Sequence, residues 1–204
     1  KAKADAIVDE LEKCQIANGG GYLSAFPETL FIRLETPGQS AWVPWYTMHK
    51  IFAGLYDMYI HAGNEKSLAV LIDLAAWAKG RIDNLSEQQM ADLLNVEFGG
   101  MNEVLYNLYE ITGDVDHLQL AQRFDHQRIY APLADGQDNL AGLHANTQIP
   151  KIIGASRRYE LLGDKRYMAI CSNFWDLVVK TRSYATGGNS HNEHFGTANR
   201  LADT

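Results

Sequence analysis

The stretch Ile111-Thr-Gly113-Asp114 joins two helical patterns and decides the architecture of the chain. Apolar residues recur every three or four positions before it, and again after it as far as Phe124. The glycine can adopt the left-handed conformation that ends a helix, and the aspartate can cap the amide groups that open the next one. The stretch therefore predicts a tight turn between two helices of a hairpin.

The same kind of turn recurs at a fixed interval. Gly63-Asn64 and Gly163-Asp164 lie 50 residues to either side of Gly113-Asp114, and each separates two apolar helical patterns. A repeat of this length with two helices per unit is typical of stacked αα-hairpins, arranged as an open solenoid or as a closed toroid. The helix predicted over residues 46–61 is apolar on two faces, which favours a toroid because its inner helices are covered on both sides.

We therefore predict an all-α fold in which αα-hairpin repeats form part of an (α/α)6 toroid, with residues 1–204 as a single helical domain. A toroid of six hairpins needs roughly twice this length. The chain begins at Lys1 with an amphipathic stretch and ends at Thr204 in loop-like sequence. We expect it to be an incomplete domain that lacks its C-terminal half.

The amino-acid composition argues against some classes of binding partner. A formal net charge of −7 with scattered lysines and arginines offers no basic stripe for phosphates, which argues against nucleic acid and against an anionic membrane surface. The hydrophobic content of 46% is enough for a sizeable core, and no run of 18 apolar residues occurs. Cys14 and Cys171 are far apart within helical patterns, so they suggest neither a disulfide framework nor a metal site. The cellular compartment stays open: periplasmic, secreted and cytoplasmic proteins all fit.

Polar and aromatic residues gather where the predicted inner helices begin. The opposite ends of these helices have only Gly-Asx turns, so the polar and aromatic residues are concentrated on one side of the repeat. Aromatic faces together with amide and imidazole groups suit a neutral, polyhydroxylated ligand such as a sugar. Core packing and helix capping are the alternatives for these residues, which are Trp42, Trp45, Tyr46 and His49, then Gly99, Gly100, Asn102 and Glu103, then His144, Asn146 and Gln148.

The segment from Arg182 to Gly196 breaks the helical pattern and places one acid between two imidazoles. After Gly187-Gly188 come His191, Glu193 and His194. The two histidines are three residues apart, whereas a helical zinc protease motif spaces them by four, so the spacing argues against a metal site of that kind. A solvated loop is the alternative interpretation.

Four blocks of sequence resemble the catalytic domain of the β-L-arabinofuranosidases of glycoside hydrolase family 127 and its relative, family 146. The blocks follow the family's order along nearly the whole chain. They are Trp45-Tyr-Thr-Met-His-Lys-Ile, Gly99-Gly-Met-Asn-Glu-Val-Leu, Leu143-His-Ala-Asn-Thr-Gln-Ile-Pro-Lys, and Tyr184-Ala-Thr-Gly-Gly-Asn-Ser with Asn192-Glu-His-Phe-Gly.

The resemblance implies retaining hydrolysis of terminal β-L-arabinofuranosides from plant glycans or glycoproteins, in an (α/α)6 domain followed by β-sandwich domains. It implies that Glu193 is the general acid/base, which protonates the leaving oxygen and later deprotonates water. It also implies contacts to sugar hydroxyls from His49 and His144. Together with the residues at the helix starts, this predicts a substrate site formed by His49, His144, Trp45, Asn102, Glu103 and His194.

The chain also departs from the family. The resemblance implies a nucleophilic cysteine on zinc, supplied by a Glu-x-Cys element and a later cysteine pair that have no counterpart in residues 1–204. We therefore expect the nucleophile and the zinc ligands to lie outside this chain, with no cofactor and no metal ligand within it. A sugar epimerase or isomerase on a helical toroid and a non-catalytic carbohydrate-binding fragment are the alternative functions.

Overall fold

In a computed structural model, which describes residues 1–203, the chain is all-α. The described residues contain no β-strand, and the predicted all-α fold of αα-hairpins is confirmed. The chain divides into two compact units, residues 1–124 and the residues from Asp125 onward. None of the helices within residues 1–203 has both the length and the apolar character needed to cross a membrane.

The first unit contains seven helices. They are α1 (Ala2–Ala17), α2 (Thr29–Glu35), α3 (Pro44–Ala62), α4 (Glu65–Ile82), α5 (Glu87–Leu93), α6 (Met101–Thr112) and α7 (Val115–Arg123). Helix α3 packs against α4 and α6, and α6 packs against α7. The core includes a cluster of aromatic rings in which Trp45 lies 5.0 Å from Phe31 and 5.2 Å from Phe124 between ring centroids.

Up to residue 203, the second unit contains three helices and two shorter turns. They are α8 (Gln127–Ala134), α9 (Ala145–Leu162) and α10 (Lys165–Trp175), followed by a π-helical turn (Asp176–Lys180) and a 3₁₀ turn (Leu201–Asp203). Helix α10 packs against both α8 and α9. Phe195, from the loop that follows the π-helical turn, joins this core at 2% exposure.

The three predicted hairpin turns have the predicted chemistry. Gly63, Gly113 and Gly163 all adopt left-handed φ angles, of 61°, 67° and 68°. Each of the next residues, Asn64, Asp114 and Asp164, caps the following helix by accepting a backbone N–H through its side chain. These turns join α3 to α4, α6 to α7 and α9 to α10.

The short helices were not predicted. Residues 22–40 are expected to be irregular, but α2 forms within them and buries Phe31 completely among the aromatic rings. Helix α5 begins with a capping box formed by Ser86 and Gln89, and α8 has Pro132 in its last turn. A helix of seven or eight residues spans only two turns, so its apolar periodicity is too brief to be distinguished from that of a loop.

Candidate active site

The starts of α3 and α6 meet around His49. The imidazole lies so close to the turn before α6 that a Cβ atom on Gly99 would be 2.4 Å from its Nδ1. A Cβ atom on Gly100 would be 3.0 Å from His49 Nε2 and 3.3 Å from Glu103 Oε2. Gly99 also has a left-handed φ of 59°. The two glycines are therefore required by close contact with the ring, and they place His49 and Glu103 on the same side of the turn.

The His49 ring is held neutral by its surroundings. Burial, together with the nearby charge of Lys50, lowers the pKa of His49 to about 4. Its Nδ1 atom is buried and has no hydrogen-bond partner among the described residues. A neutral imidazole can donate from one nitrogen and accept at the other, which suits contact with a hydroxyl group.

Two predicted substrate contacts lie in the interior of the first unit. Trp45 is 1% exposed within the aromatic cluster, and Asn102 is 0% exposed at the start of α6. Trp42, which precedes α3, is instead 88% exposed. A substrate contact by Trp45 or Asn102 stays a prediction, and the burial of both side chains does not favour it.

Glu193 lies in a tight turn near the end of the chain. His191 and His194 exchange backbone hydrogen bonds of 2.9 Å in both directions. Asn192 and Glu193 lie between them with φ angles of 45° and 66°. Positive φ at both central positions is the pattern of a type I′ hairpin turn, in which the second position strongly favours glycine. Glu193 therefore occupies a position that its residue type does not prefer.

The turn is fastened to the start of α9. Ala145 N donates to the Glu193 carbonyl oxygen over 2.7 Å, and Phe195 N donates to the Leu143 carbonyl oxygen over 2.9 Å. The Phe195 side chain is buried beside Phe174, with 6.1 Å between ring centroids. These bonds and this anchor explain why the backbone at Glu193 keeps its unusual conformation.

A buried arginine also holds this loop in place. Arg182, which is 2% exposed, donates from Nε to the Gly196 carbonyl oxygen over 2.9 Å. Its Nη2 lies 2.6 Å from Asp138 Oδ2. The loop is thus held at both ends by buried groups, which is how a rigid scaffold positions residues on a loop.

The loop brings three predicted site residues together. Glu193 Oε2 lies 3.5 Å from His144 Nε2. The rings of His144 and His194 meet edge to face with 5.3 Å between centroids. Glu193 is 81% exposed at its side chain and His144 is 29% exposed. The arrangement is an accessible carboxylate close to one imidazole, His144, whose ring in turn meets that of His194.

The sequence analysis did not predict a network of buried polar side chains next to His144. Lys151, at 2% exposure, donates to Gln148 Oε1 over 3.1 Å, and its Nζ lies 2.9 Å from His126 Nδ1. Gln148 Nε2 donates to the His144 carbonyl oxygen over 3.3 Å. Residues 144, 148 and 151 share one helix face, and that spacing was the available signal. Lysine is almost never fully buried, so the sequence favours an exposed Lys151.

The described part of the chain does not fit the zinc centre that the resemblance implies. Within residues 1–203, no three His, Cys, Asp or Glu side chains lie close enough together to hold a metal ion. Cys14 is exposed, and Cys171 is half-buried with its Sγ 3.7 Å from the Ile152 carbonyl oxygen. Burial raises the pKa of Cys171 to about 11, which makes it a poor source of thiolate. We assign no catalytic step to either cysteine or to a metal.

Comparison with known protein families gives a match to the family described as β-L-arabinofuranosidase, GH127 catalytic domain, over residues 1–204, the whole chain. A comparison with curated proteins gives no match. The family match covers both units and all four sequence blocks that carry the resemblance. The chain belongs to the GH127 β-L-arabinofuranosidase catalytic-domain family of glycoside hydrolases.

Proposed function

We propose that this chain carries the general acid/base of a retaining β-L-arabinofuranosidase, and that this group is Glu193. The observation that carries the proposal is the left-handed backbone of Glu193, with φ of 66°, in a turn fastened to the start of α9. Strained non-glycine positions persist where the surrounding structure fixes them, and they cluster at active sites. The family match supports the glycosidase class of the proposal.

The proposed chemistry has two steps. In the first, the Glu193 carboxylic acid donates its proton to the glycosidic oxygen as the anomeric carbon breaks its bond to that oxygen and bonds to the nucleophile, a group that the proposal assigns to no residue of this chain. In the second, the same group, now a carboxylate, takes a proton from the water that bonds to the anomeric carbon and displaces the nucleophile. Of the two catalytic groups of a retaining mechanism, the proposal assigns to this chain only the acid/base, because both cysteines lie outside the four sequence blocks and burial raises the pKa of Cys171.

We also propose that half-buried and exposed polar groups in each unit can bind sugar hydroxyls. His49 is neutral and lies beside Glu103 at the start of α6. His144 and His194 lie beside Glu193. Imidazole and carboxylate groups can each accept a hydrogen bond from a hydroxyl, and neutral imidazole can also donate one. The substrate proposed for the groups beside Glu193 is a terminal β-L-arabinofuranoside of plant origin.

The test of the proposal is Glu193→Gln in the natural full-length protein, assayed on a β-L-arabinofuranoside. Glutamine keeps the shape of the side chain but cannot exchange the proton, so kcat should fall by roughly 10²- to 10⁴-fold. The loss should be larger on an alkyl arabinofuranoside than on the p-nitrophenyl compound, because p-nitrophenolate leaves without much protonation. Measuring both substrates separates a lost acid from a lost contact.

Glu160→Gln is the matched control. Glu160 is 55% exposed at its side chain and pairs with Arg157 on the surface of α9, so its replacement should leave both rates unchanged. A wild-type rate after Glu193→Gln would remove Glu193 from the mechanism. Interconversion of free sugars without cleavage of any glycoside would contradict the glycosidase proposal and favour an epimerase.

A further inference from the structure

We propose that His144 and His194 flank Glu193 as opposite tautomers, with His144 donating from Nε2 and His194 accepting at Nε2, and that Thr147 is the positioning residue that fixes His144. The inference rests on the proposed function for its catalytic meaning. The tautomers themselves are assigned from the hydrogen-bond partners of each ring, which is how the proton on a neutral imidazole is located.

The tautomer of His144 follows from its role as the N-cap of α9. Its Nδ1 accepts the backbone N–H of Thr147 at 3.3 Å. The Thr147 hydroxyl oxygen lies 2.6 Å from the same nitrogen. A backbone N–H can only donate, so Nδ1 must carry the lone pair, and the hydroxyl then donates to it as well. The single proton of the neutral ring is therefore on Nε2, the nitrogen that lies 3.5 Å from Glu193 Oε2.

The tautomer of His194 follows from a different partner and is the reverse. Its Nδ1 lies 2.6 Å from the carbonyl oxygen of Asn192. A carbonyl oxygen can only accept, so Nδ1 must carry the proton. The Nε2 atom of the neutral ring then has its lone pair exposed. The Asn192 carbonyl belongs to the same left-handed turn that holds Glu193. The conformation of this turn therefore also determines the tautomer of His194.

The two tautomers give the groups around Glu193 different tasks. His144 Nε2–H faces one carboxylate oxygen, Oε2, which leaves Oε1 to exchange the proton with the glycosidic oxygen or with water. His194 Nε2 can accept a hydrogen bond from a hydroxyl group of the sugar. The separation of 3.5 Å between His144 and Glu193 is longer than the usual N–H···O length. Such catalytic contacts commonly tighten when substrate binds.

Thr147 is a suitable position for a test because its side chain can change while its backbone N–H stays. Thr147→Val removes the hydroxyl but keeps a β-branched side chain of similar shape in the first turn of α9. Thr147→Ser restores the hydroxyl. Thr112→Val is the control, because it removes a threonine hydroxyl that lies 2.8 Å from another histidine, His117, in the other unit.

The first measurement is long-range ¹H–¹⁵N NMR of the histidine rings in the natural full-length protein, at about pH 8, above the ordinary imidazole pKa. Signals are assigned by their loss in His144→Gln and His194→Gln. We expect wild-type His144 to be protonated on Nε2 and His194 on Nδ1. Thr147→Val keeps the longer bond from the backbone N–H but loses the shorter one, of 2.6 Å, from the hydroxyl, so the fraction of His144 protonated on Nε2 should fall; Thr147→Ser should restore it. Protonation of wild-type His144 on Nδ1, or of His194 on Nε2, would overturn the proposal whether or not the protein cleaves arabinofuranosides.

The second measurement is steady-state hydrolysis of the p-nitrophenyl β-L-arabinofuranoside. Loss of one hydrogen bond that orients a catalytic group should lower kcat of Thr147→Val by about fivefold, with KM little changed. Thr147→Ser and Thr112→Val should retain the wild-type kcat. If Thr147→Val also retains it while Glu193→Gln is inactive, the proposed function stands and the positioning role of Thr147 does not.

Discussion

Glu193 occupies a backbone position that glycine would fill at lower cost. Its φ of 66° is left-handed, and a residue with a Cβ atom loses roughly 1–2 kcal/mol there. Packing of the side chain does not repay this cost, because 81% of its surface is exposed. The backbone conformation is instead fixed by the bond from Ala145 N to the Glu193 carbonyl oxygen and by the burial of Phe195. A carboxylate kept at such a position is consistent with a role in catalysis.

This argument predicts that stability and activity change in opposite directions at residue 193. Glu193→Gly should raise the free energy of unfolding by about 0.5–1 kcal/mol, because relief of the left-handed strain outweighs the added chain entropy of glycine. The same variant should not hydrolyse arabinofuranosides. Asn192→Gly is the control: asparagine tolerates φ of 45°, so its free energy of unfolding should change little. Urea denaturation measures both variants, and a less stable Glu193→Gly would contradict the strain argument.

The identity of Glu193 could be predicted from the sequence, but its conformation could not. The block Asn192-Glu-His-Phe-Gly carries the family resemblance, and an acid between two imidazoles is a recognisable pattern. Asn-Glu is not a dipeptide that favours positive φ at both positions. The turn forms because Glu193 within it and Phe195 just after it bond to Ala145 and Leu143, about 50 positions earlier in the chain. A long-range constraint of this kind leaves no local signal.

Helix α3 contacts the start of α6 where the His49 ring packs against the turn formed by Gly99 and Gly100. The His49 imidazole fills the space that a side chain at Gly99 or Gly100 would need. The contact fixes the ring that we propose to bind substrate. It also makes the packing of these two helices depend on the absence of two Cβ atoms.

Gly99→Ala should therefore disrupt this helix pair. The added methyl group would lie 2.4 Å from His49 Nδ1, and alanine would also have to adopt the φ of 59°. We expect a loss of about 2–3 kcal/mol in the free energy of unfolding, from overpacking together with backbone strain. Gly80→Ala is the matched control, because a Cβ atom there meets nothing within 4 Å. It should stabilise α4 by up to about 1 kcal/mol. Equal effects of the two substitutions would contradict the close contact at His49.

The hairpins were predictable because their signals are local. A glycine followed by Asn or Asp at positions 63, 113 and 163 supplies both the helix end and the next helix cap within two residues. Helix α2 has no such signal: it has no side-chain cap, and Phe31 is buried by rings from Trp45 and Trp77, which are distant in sequence. Its position follows from tertiary packing, so the sequence predicts only an ordered aromatic loop there.

At the scale of the whole molecule, each unit keeps a histidine neutral. His49 in the first unit has its pKa lowered to about 4, mainly by burial. His126 in the second unit has its pKa lowered to about 3 by burial and by the charges of Lys151 and Arg128. In the unfolded chain both rings take up a proton below about pH 6.5. Between that value and the folded pKa, the unfolded state binds more protons than the folded state, so stability rises with pH.

The chain should therefore lose stability in mild acid, well above the range in which carboxylates titrate. Each of the two histidines should contribute a loss of about 2 kcal/mol in the free energy of unfolding between pH 7 and pH 5. His126→Gln should remove about 2 kcal/mol of that loss, because the glutamine amide oxygen can still accept from Lys151 but takes up no proton. His61→Gln, at an exposed side chain of α3, is the control for replacing a histidine by glutamine. Urea denaturation at the two pH values measures the loss in each protein. If His126→Gln lost as much stability as the wild type over this interval, the neutral ring of His126 would not be the source of the acid sensitivity.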